Sequence, residues 1–183
     1  MGVKSWQITL LPLAIAAVAI AATWKAKRDF APDSSNYTLD YKAPTGWVER
    51  ELRPMVLFQF ANEDGTMLLA GGVTNVDAKA GPTGQKPADH LAEELVVSMR
   101  SRLAGWTVQR LPDIHTKSEE FSIIWRTNGE RSIYTAIGVK GNATATITLT
   151  CTDKRDHSEH PHYGWLEDYL QSVRFLPIRD ARR

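Results

Sequence analysis

The sequence predicts an α+β fold in which helices cover an antiparallel sheet. Residues 143–151 alternate between small or apolar side chains and threonines, which is typical of a β-strand. Residues 87–103 carry apolar side chains at helical spacing, and strand-like runs lie on both sides of them. A second helical pattern follows at residues 163–172. Strands before and after a long helix argue against a simple β-sandwich.

The first predicted strands lie before the long helix. Residues 38–42 alternate between apolar and polar side chains, and Pro44-Thr45-Gly46-Trp47 then indicates a turn. Two apolar runs follow at residues 55–60 and 67–74, and Asn62-Glu63-Asp64-Gly65 between them is a hairpin turn signal. These runs therefore predict two paired strands.

The long helix has clear start and stop signals. Gly71-Gly72, before it, indicates a bulge or a close backbone approach. The glycine- and proline-rich residues 78–86 form a loop that ends at Pro87, a favoured residue for the first helical turn. Gly105 is placed to stop the helix. The predicted buried stripe consists of Leu91, Leu95, Val96, Met99 and Leu103.

The second half of the chain predicts a meander of strands and a final helix. Asn128-Gly129 and Lys140-Gly141-Asn142 supply tight hairpin turns between strands. Residues 163–172 form the helix, and Phe175 and Leu176 close the fold before Pro177. The predicted strands of this meander are residues 106–111, 121–127, 132–139 and 143–151.

The first residues have the properties of a membrane anchor. Residues 8–23 are apolar and uncharged, and Trp6 and Trp24 flank them. The 18 positions between the two tryptophans correspond to about 27 Å of helix, close to the ~30 Å hydrocarbon core of a bilayer. Tryptophan favours both membrane interfaces. We therefore expect one transmembrane helix within residues 1–28, with the lipid bilayer as its partner.

Two properties of this segment stay open. A cleaved secretory signal also fits, with Lys4 as its charged start and Ala19-Ile20-Ala21 as its cleavage site. The positive-inside rule compares Lys4 with Lys25-Ala26-Lys27-Arg28 and, taken alone, places the rest of the chain in the cytoplasm. The signal-like layout favours export instead, so we expect the globular domain on the extracytoplasmic side.

The rest of the chain is predicted to fold as one domain. Residues 29–36 are rich in proline, aspartate and serine and make a flexible linker to a globular domain at residues 37–177. Residues 178–183 form a basic tail.

Small residues line one side of the predicted anchor helix and permit close packing against other helices. They are Ala14, Ala17 and Ala21.

Charge and cysteine content exclude two classes of protein. The 183 residues carry 22 basic and 21 acidic side chains, and beyond residue 31 the balance is 18 basic against 20 acidic, a net charge of −2. A nucleic-acid binder is therefore not expected. Cys151 is the single cysteine, which excludes an internal disulfide and a cysteine-rich zinc site. Its place at the end of an alternating strand predicts a core position.

The candidate site with the strongest local signal is the loop before the last helix. Residues 153–162 hold three of the five histidines, His157, His160 and His162. Imidazole is a ligand for zinc, copper and nickel, and a flexible loop could bring the three rings to one ion. The alternative is a solvated connection, because the spacing is not a known ligand signature and Lys154 and Arg155 oppose a cation.

Catalytic and cofactor motifs are missing from the sequence. It contains no G-x-S-x-G or S-x-x-K element, no phosphate-binding loop and no haem-attachment motif, so neither enzymatic activity nor a cofactor is expected. Tryptophan is enriched in binding hot spots, and the domain has four. Trp47 flanks a turn, so we expect it to be the most exposed of them and a contact for a partner protein.

Two segments resemble the PsbP-like family. The first is Tyr41-Lys42-Ala43-Pro44-Thr45-Gly46-Trp47, and the second joins a strand after a glycine turn at 141–150, a polar loop and the ending Leu170-Gln171-Ser172-Val173-Arg174-Phe175. The resemblance covers residues 37–175 and implies an α/β/α sandwich. The family includes the extrinsic protein of the oxygen-evolving photosystem and periplasmic relatives. The anchor departs from this pattern, because typical members are soluble or are lipoproteins.

The resemblance also implies an accessory role, since members mostly bind and stabilise larger assemblies. We therefore expect a membrane-anchored accessory subunit of a larger membrane protein complex, with a photosynthetic or electron-transfer complex as the natural candidate. The alternative is a periplasmic module that binds a metal or small ligand through the loop of His157, His160 and His162.

Overall fold

A computed structural model describes residues 36–52, 56–75 and 84–178. All of them belong to one compact unit that runs from Pro32 to Arg183. The predicted anchor, with Trp6, Trp24, Ala14, Ala17 and Ala21, lies outside the described residues. Within the described ranges, no helix is both long enough and apolar enough to cross a membrane.

The predicted α+β class is confirmed. The larger sheet has seven strands, all paired antiparallel, in the order β2-β3-β4-β8-β7-β6-β5, and β1 pairs separately with β9. The elements in chain order are β1 (Tyr37–Asp40), β2 (Val48–Glu49), β3 (Phe58–Ala61), β4 (Met67–Asn75), α1 (Pro87–Arg102), β5 (Thr107–His115), β6 (Glu120–Thr127), β7 (Ser132–Lys140), β8 (Ala143–Cys151), a 3₁₀ turn (His157–Glu159), α2 (Tyr163–Leu170) and β9 (Arg174–Pro177).

The two helices cover opposite faces of the large sheet. Ser122 and Arg126 of β6 contact Asp89 and Met99 of α1. Trp125, between them, belongs instead to the hydrophobic core that includes α2. Neighbouring residues of a strand point to opposite faces, so α1 and α2 lie on different sides. The β1–β9 pair adds Leu39 and Phe175 to the α2 side.

The strand β8 shows the predicted alternation. Its small and apolar residues all lie in the core on the α2 face. The threonines between them face α1, and Thr144, Thr148 and Thr150 are buried there as well. Because helices cover both faces, the strand is buried on both sides. The core residues of β8 are Ala143, Ala145, Ile147, Leu149 and Cys151.

Helix α1 buries most of the predicted stripe. Ala92, Leu95, Val96 and Met99 are buried against β5, β6 and β7. Val97 points away from the sheet and is 68% exposed. The helix begins at Pro87, which lacks an N–H that the first turn would leave unsatisfied. Its amphipathic spacing therefore fixes which side of the sheet it covers.

Strand β5 differs from its prediction, because it continues past residue 111 to His115. Pro112-Asp113 reads as a stop signal in sequence, but the structure accommodates it by a register irregularity between Leu111 and Ile114. β5 is an edge strand, where a proline without an N–H removes no ladder hydrogen bond from the sheet interior.

The final segment also differs, since residues 174–177 form a strand paired with β1.

Candidate functional site

The loop between β8 and α2 is built by short local hydrogen bonds. Asp156 Oδ1 accepts from the backbone N–H of Ser158 at 2.9 Å and from its hydroxyl at 2.7 Å, which starts the 3₁₀ turn at His157. The turn ends at His160, whose φ of 53° lies in the left-handed region. This reversal sends the side chains of successive histidines in different directions.

Three side chains of this loop converge on one point, and we refer to them as the Asp153 cluster. They are Asp153, His157 and His162, and one ligand atom from each lies within 4.8 Å of the others. His162 Nε2 is 2.8 Å from Asp153 Oδ2, and His157 Nε2 is 3.9 Å from Asp153 Oδ1. The two imidazoles are buried, with side chains 2% and 3% exposed, while Asp153 is 19% exposed.

Among the described residues, three of the four ring nitrogens of the Asp153 cluster are buried without an aligned hydrogen bond. Both nitrogens of His157 and Nε2 of His162 are buried and unpartnered within the part of the chain that the structure describes. His162 Nε2 faces Asp153 Oδ2 at 2.8 Å. Burial lowers the pKa of His162, although the Asp153 carboxylate opposes this effect. The imidazole is therefore held towards its neutral, metal-ligating form.

Further polar groups lie close to the cluster. The hydroxyls of Ser132 and Tyr134 are buried near one another, and Tyr134 lies beside the backbone of His162. Burial raises the pKa of Tyr134 to about 12, and the nearby charge of Asp153 adds to the shift. Burial likewise raises the pKa of Cys151 to about 12. The thiol is therefore protonated and inert at neutral pH, which fits the predicted core position.

His160 is not part of the Asp153 cluster. Its Nε2 lies 2.8 Å from Gln109 Nε2 on β5, and its ring meets Trp125 edge-on with centroids 4.4 Å apart. Burial lowers its pKa. The structure thus brings together two of the three histidines singled out in the sequence, and Asp153 stands where the third was expected.

Trp47, which the sequence predicts to be the most exposed of the four tryptophans, is partly buried and packs against the core. It stacks on Trp165 of α2 with centroids 4.8 Å apart, and Trp165 stacks in turn on Tyr169 at 5.7 Å. The difference arises because α2 packs over the turn that contains Trp47. The large hydrophobic residues that are exposed in the segment after it are Val48 and Leu52, at 53% and 48%.

A network of charges holds the start of α1. Arg110 Nη2 donates to Asp89 Oδ1 at 2.9 Å and to Asp113 Oδ1 at 2.8 Å, and the Ser122 hydroxyl donates to Asp89 at 2.6 Å. Burial would raise the pKa of Asp89, but the hydrogen bonds from Ser122 and Arg110 outweigh it and lower the pKa. Burial raises the pKa of Asp113. The network ties α1 to β5 and β6.

The sequence analysis did not identify one buried charged residue, Arg126, on the face of the sheet that α1 covers. Arg126 is 3% exposed and faces α1, and its Nη1 lies 3.5 Å from the sulfur of Met99. Its Nε is buried and unpartnered within the described residues. Burial lowers its pKa to about 10. The available signal was a charged residue directly after the apolar run Ile123-Ile124-Trp125 of β6.

No protein-family model and no curated protein matches this sequence. Among solved structures, the solution structure of cyanobacterial PsbP (CyanoP) from Synechocystis sp. PCC 6803 covers 81% of this chain and 98% of its own, with a TM-score of 0.50 and 9% identity. The domain has a PsbP-like fold. A crystal structure from Bacteroides thetaiotaomicron VPI-5482 covers 76% of this chain and 44% of its own, with a TM-score of 0.43 and 14% identity. At these identities the PsbP likeness concerns the fold alone.

Proposed function

We propose that this chain is a membrane-anchored, non-catalytic accessory subunit that stabilises a larger membrane protein complex. The observation that carries the proposal is the PsbP-like fold, because the resemblance implies accessory roles for this family. The apolar residues 8–23 support the anchor. Fold likeness alone does not fix function, so the proposal depends on the combination of fold and anchor.

The described chemistry of the domain fits a binding role. Its only thiol, Cys151, is fully buried and protonated, so it is a poor nucleophile. The linker at residues 29–36 has eight residues and spans at most about 27 Å when extended. An anchored domain would therefore stay beside the bilayer, on the extracytoplasmic side in our proposal. A photosynthetic or electron-transfer complex is the proposed partner.

The test is the size of the particle that carries the full-length chain after extraction from its native membrane in a mild detergent. We expect the chain to migrate with other polypeptides in a large particle on a native gel, and intact mass should show that residues 1–28 are retained. Migration as a lone monomer would contradict the accessory role. Loss of the first residues in the mature chain would contradict the anchor.

A matched pair of variants asks whether the anchor is also the attachment surface. A triple change of Ala14, Ala17 and Ala21 to leucine places bulk on the predicted packing side, and we expect it to release the chain from the particle while leaving it in the membrane. Changing Ala16 and Ala19 to leucine alters the opposite side of the same helix and should leave the particle intact. Equal behaviour of the two variants would count against the packing role.

A second proposed function, a periplasmic metal-binding module, is favoured by the Asp153 cluster and does not depend on the anchor. Its ligand set differs from the three histidines expected from sequence, because Asp153 takes the place of His160.

A further inference from the structure

We propose that Asp153, His157 and His162 form a binding site for one zinc ion. Each offers one ligand atom, two imidazole nitrogens and one carboxylate oxygen, and the three atoms lie within 4.8 Å of one another. Two-histidine, one-carboxylate sets with a free fourth position are characteristic of zinc sites that bind water or a further ligand. The inference rests on the second proposed function, metal binding, and names its ion and ligands. It is independent of the accessory role, because none of the three residues lies in the anchor.

The spacing of the ligand atoms suits a metal ion. Zinc binds imidazole nitrogen and carboxylate oxygen at about 2.0–2.2 Å, so two ligands at the tetrahedral angle are about 3.4 Å apart. His162 Nε2 lies 2.8 Å from Asp153 Oδ2, and His157 Nε2 lies 3.9 Å from Asp153 Oδ1, so the two contacts lie on either side of this value. No two of the three ligand atoms are more than 4.8 Å apart, so relative shifts of about 1.4 Å or less bring them to the required spacing.

The burial of the two histidines demands a partner. Both nitrogens of His157 and Nε2 of His162 are buried without hydrogen bonds in the described part of the chain. A buried polar atom without a partner destabilises the folded state by about 1–3 kcal/mol. Native structures rarely retain several such atoms at one point unless water, an ion or a ligand satisfies them. A metal ion bound to both Nε2 atoms and the Asp153 carboxylate satisfies two of these three nitrogens, and Nδ1 of His157 then stays as a donor for a water molecule.

The ligand types point to zinc rather than to calcium or magnesium. Calcium and magnesium prefer sets made of oxygen atoms, whereas imidazole suits zinc and its neighbours in the transition series. One carboxylate and two neutral imidazoles leave a positive charge on the loaded site, which a water-derived hydroxide or an anionic ligand can balance.

One cation competes for the site. Arg155 Nε lies 3.3 Å from Asp153 Oδ2, and its side chain is 63% exposed. A pair this exposed contributes at most about 1 kcal/mol, so the arginine can turn into solvent when a metal arrives. Removing it would free the carboxylate and reduce local positive charge. Arg155 therefore provides a variant whose expected effect is tighter binding.

Metal binding would join two elements of the fold. Asp153 follows the end of β8, and His162 is the residue immediately before α2. No side chain caps the start of α2 at His162. A bound ion would tie the start of α2 to the sheet and stabilise the helix that carries Trp165, on which Trp47 stacks. The partly exposed tryptophan surface would thus depend on metal loading.

The experiment is a zinc titration of the full-length chain in detergent after treatment with a chelator. We expect one ion per chain, and the same site filled with cobalt(II) should show the intense visible absorption of tetrahedral coordination. Asp153→Asn and His162→Gln should each weaken zinc binding by about 100-fold or more. Arg155→Gln should strengthen it by up to about five-fold. The absence of stoichiometric zinc binding by the unaltered chain would overturn the proposal.

Two histidine variants serve as matched controls. His90 lies on α1, and His160 lies in the loop but outside the Asp153 cluster. The variants His90→Gln and His160→Gln should therefore bind zinc with an affinity within about three-fold of that of the unaltered chain. Loss of binding in His160→Gln together with full binding in Asp153→Asn would overturn the ligand set.

X-ray absorption of the zinc-loaded unaltered chain keeps the test decisive if a variant fails to fold. A count of two imidazole ligands on the zinc supports the proposed site, and a count of three overturns it. None of these readouts depends on partner proteins, so they separate this inference from the accessory role.

Discussion

Replacing Gly71 with alanine is expected to lower the free energy of unfolding by about 3 kcal/mol, at the upper end of overpacking effects. Gly71 lies in β4 directly opposite Phe58 of β3. A methyl group on Gly71 would lie 2.3 Å from Cζ and 2.6 Å from Cε1 of that ring. Carbon atoms in van der Waals contact are about 3.5–4.0 Å apart, so the ring or a strand must move.

The Phe58 ring is enclosed by other aromatic side chains. It is fully buried, and its centroid lies 4.3 Å from that of Tyr41, 5.7 Å from Phe60 and 6.4 Å from Tyr169. Interiors packed to crystal density transmit such a displacement to neighbouring side chains. The added methyl group therefore disturbs the centre of the core on the α2 face.

The matched control is Gly164→Ala, in the exposed first turn of α2. A methyl group there meets nothing within 4 Å. Alanine is more favourable than glycine in a helix by up to about 1 kcal/mol, so this variant should be unchanged or slightly more stable. Urea unfolding of the two variants and the unaltered chain gives the comparison. A loss below about 1 kcal/mol in Gly71→Ala would show that the core adapts.

The glycine pair also shows what sequence can and cannot tell. Gly71-Gly72 indicated either a bulge or a close approach. β4 pairs with β8 without interruption from Met67 to Asn75, so the second alternative is correct. The identity of the approaching group, Phe58, depends on the register of β3 against β4. Composition cannot supply that register, because it is set by the hairpin and by both buried faces.

The elements themselves were largely predictable from periodicity. α1 begins at Pro87 and ends one residue before its predicted limit, and β8 has its predicted bounds. These segments have strong patterns and clear stop signals. β9 was missed as a strand because residues 174–177 are short, and their pairing with β1 joins residues more than 130 positions apart. Such long-range pairing leaves little trace in local sequence.

The site was predictable only in part. The concentration of histidines indicated the correct loop, but not which rings converge. His160 turns away because its backbone is left-handed and its ring packs on Trp125. Asp153 is four residues before His157 and is brought back by the 3₁₀ turn. Both facts depend on tertiary contacts rather than on spacing in the chain. Metal binding at the Asp153 cluster stays a prediction until it is measured.

Replacing Arg126 with methionine is expected to raise the free energy of unfolding by about 2 kcal/mol, although most core substitutions destabilise. Arg126 is 3% exposed, and among the described residues no carboxylate pairs with its guanidinium. Burial lowers its pKa from 12.5 to about 10, a penalty of about 3 kcal/mol on the charged form. Methionine keeps the apolar stem beside Met99 and removes the charge, which is why we expect a gain.

The pH dependence gives this prediction a distinct signature. The pKa of Arg126 is lowered on folding, so between pH 10 and 12.5 the unfolded chain binds more protons, and the stability of the unaltered protein rises with pH there. Below pH 10 the arginine is charged in both states, and its penalty is constant. The advantage of Arg126→Met should therefore be steady from pH 6 to 9 and shrink above about pH 10.

Arg102→Met provides the matched control, because Arg102 lies in the last turn of α1 and is exposed. Its stability should stay within about 0.5 kcal/mol of the unaltered chain. Urea unfolding at pH 7 compares the two variants directly. If Arg126→Met is less stable than the unaltered chain, the guanidinium has a stabilising partner such as a bound anion. Burial of the charge then does not destabilise the folded state. The sign of the change in the free energy of unfolding thus decides whether the buried charge of Arg126 destabilises the folded state or has a partner there.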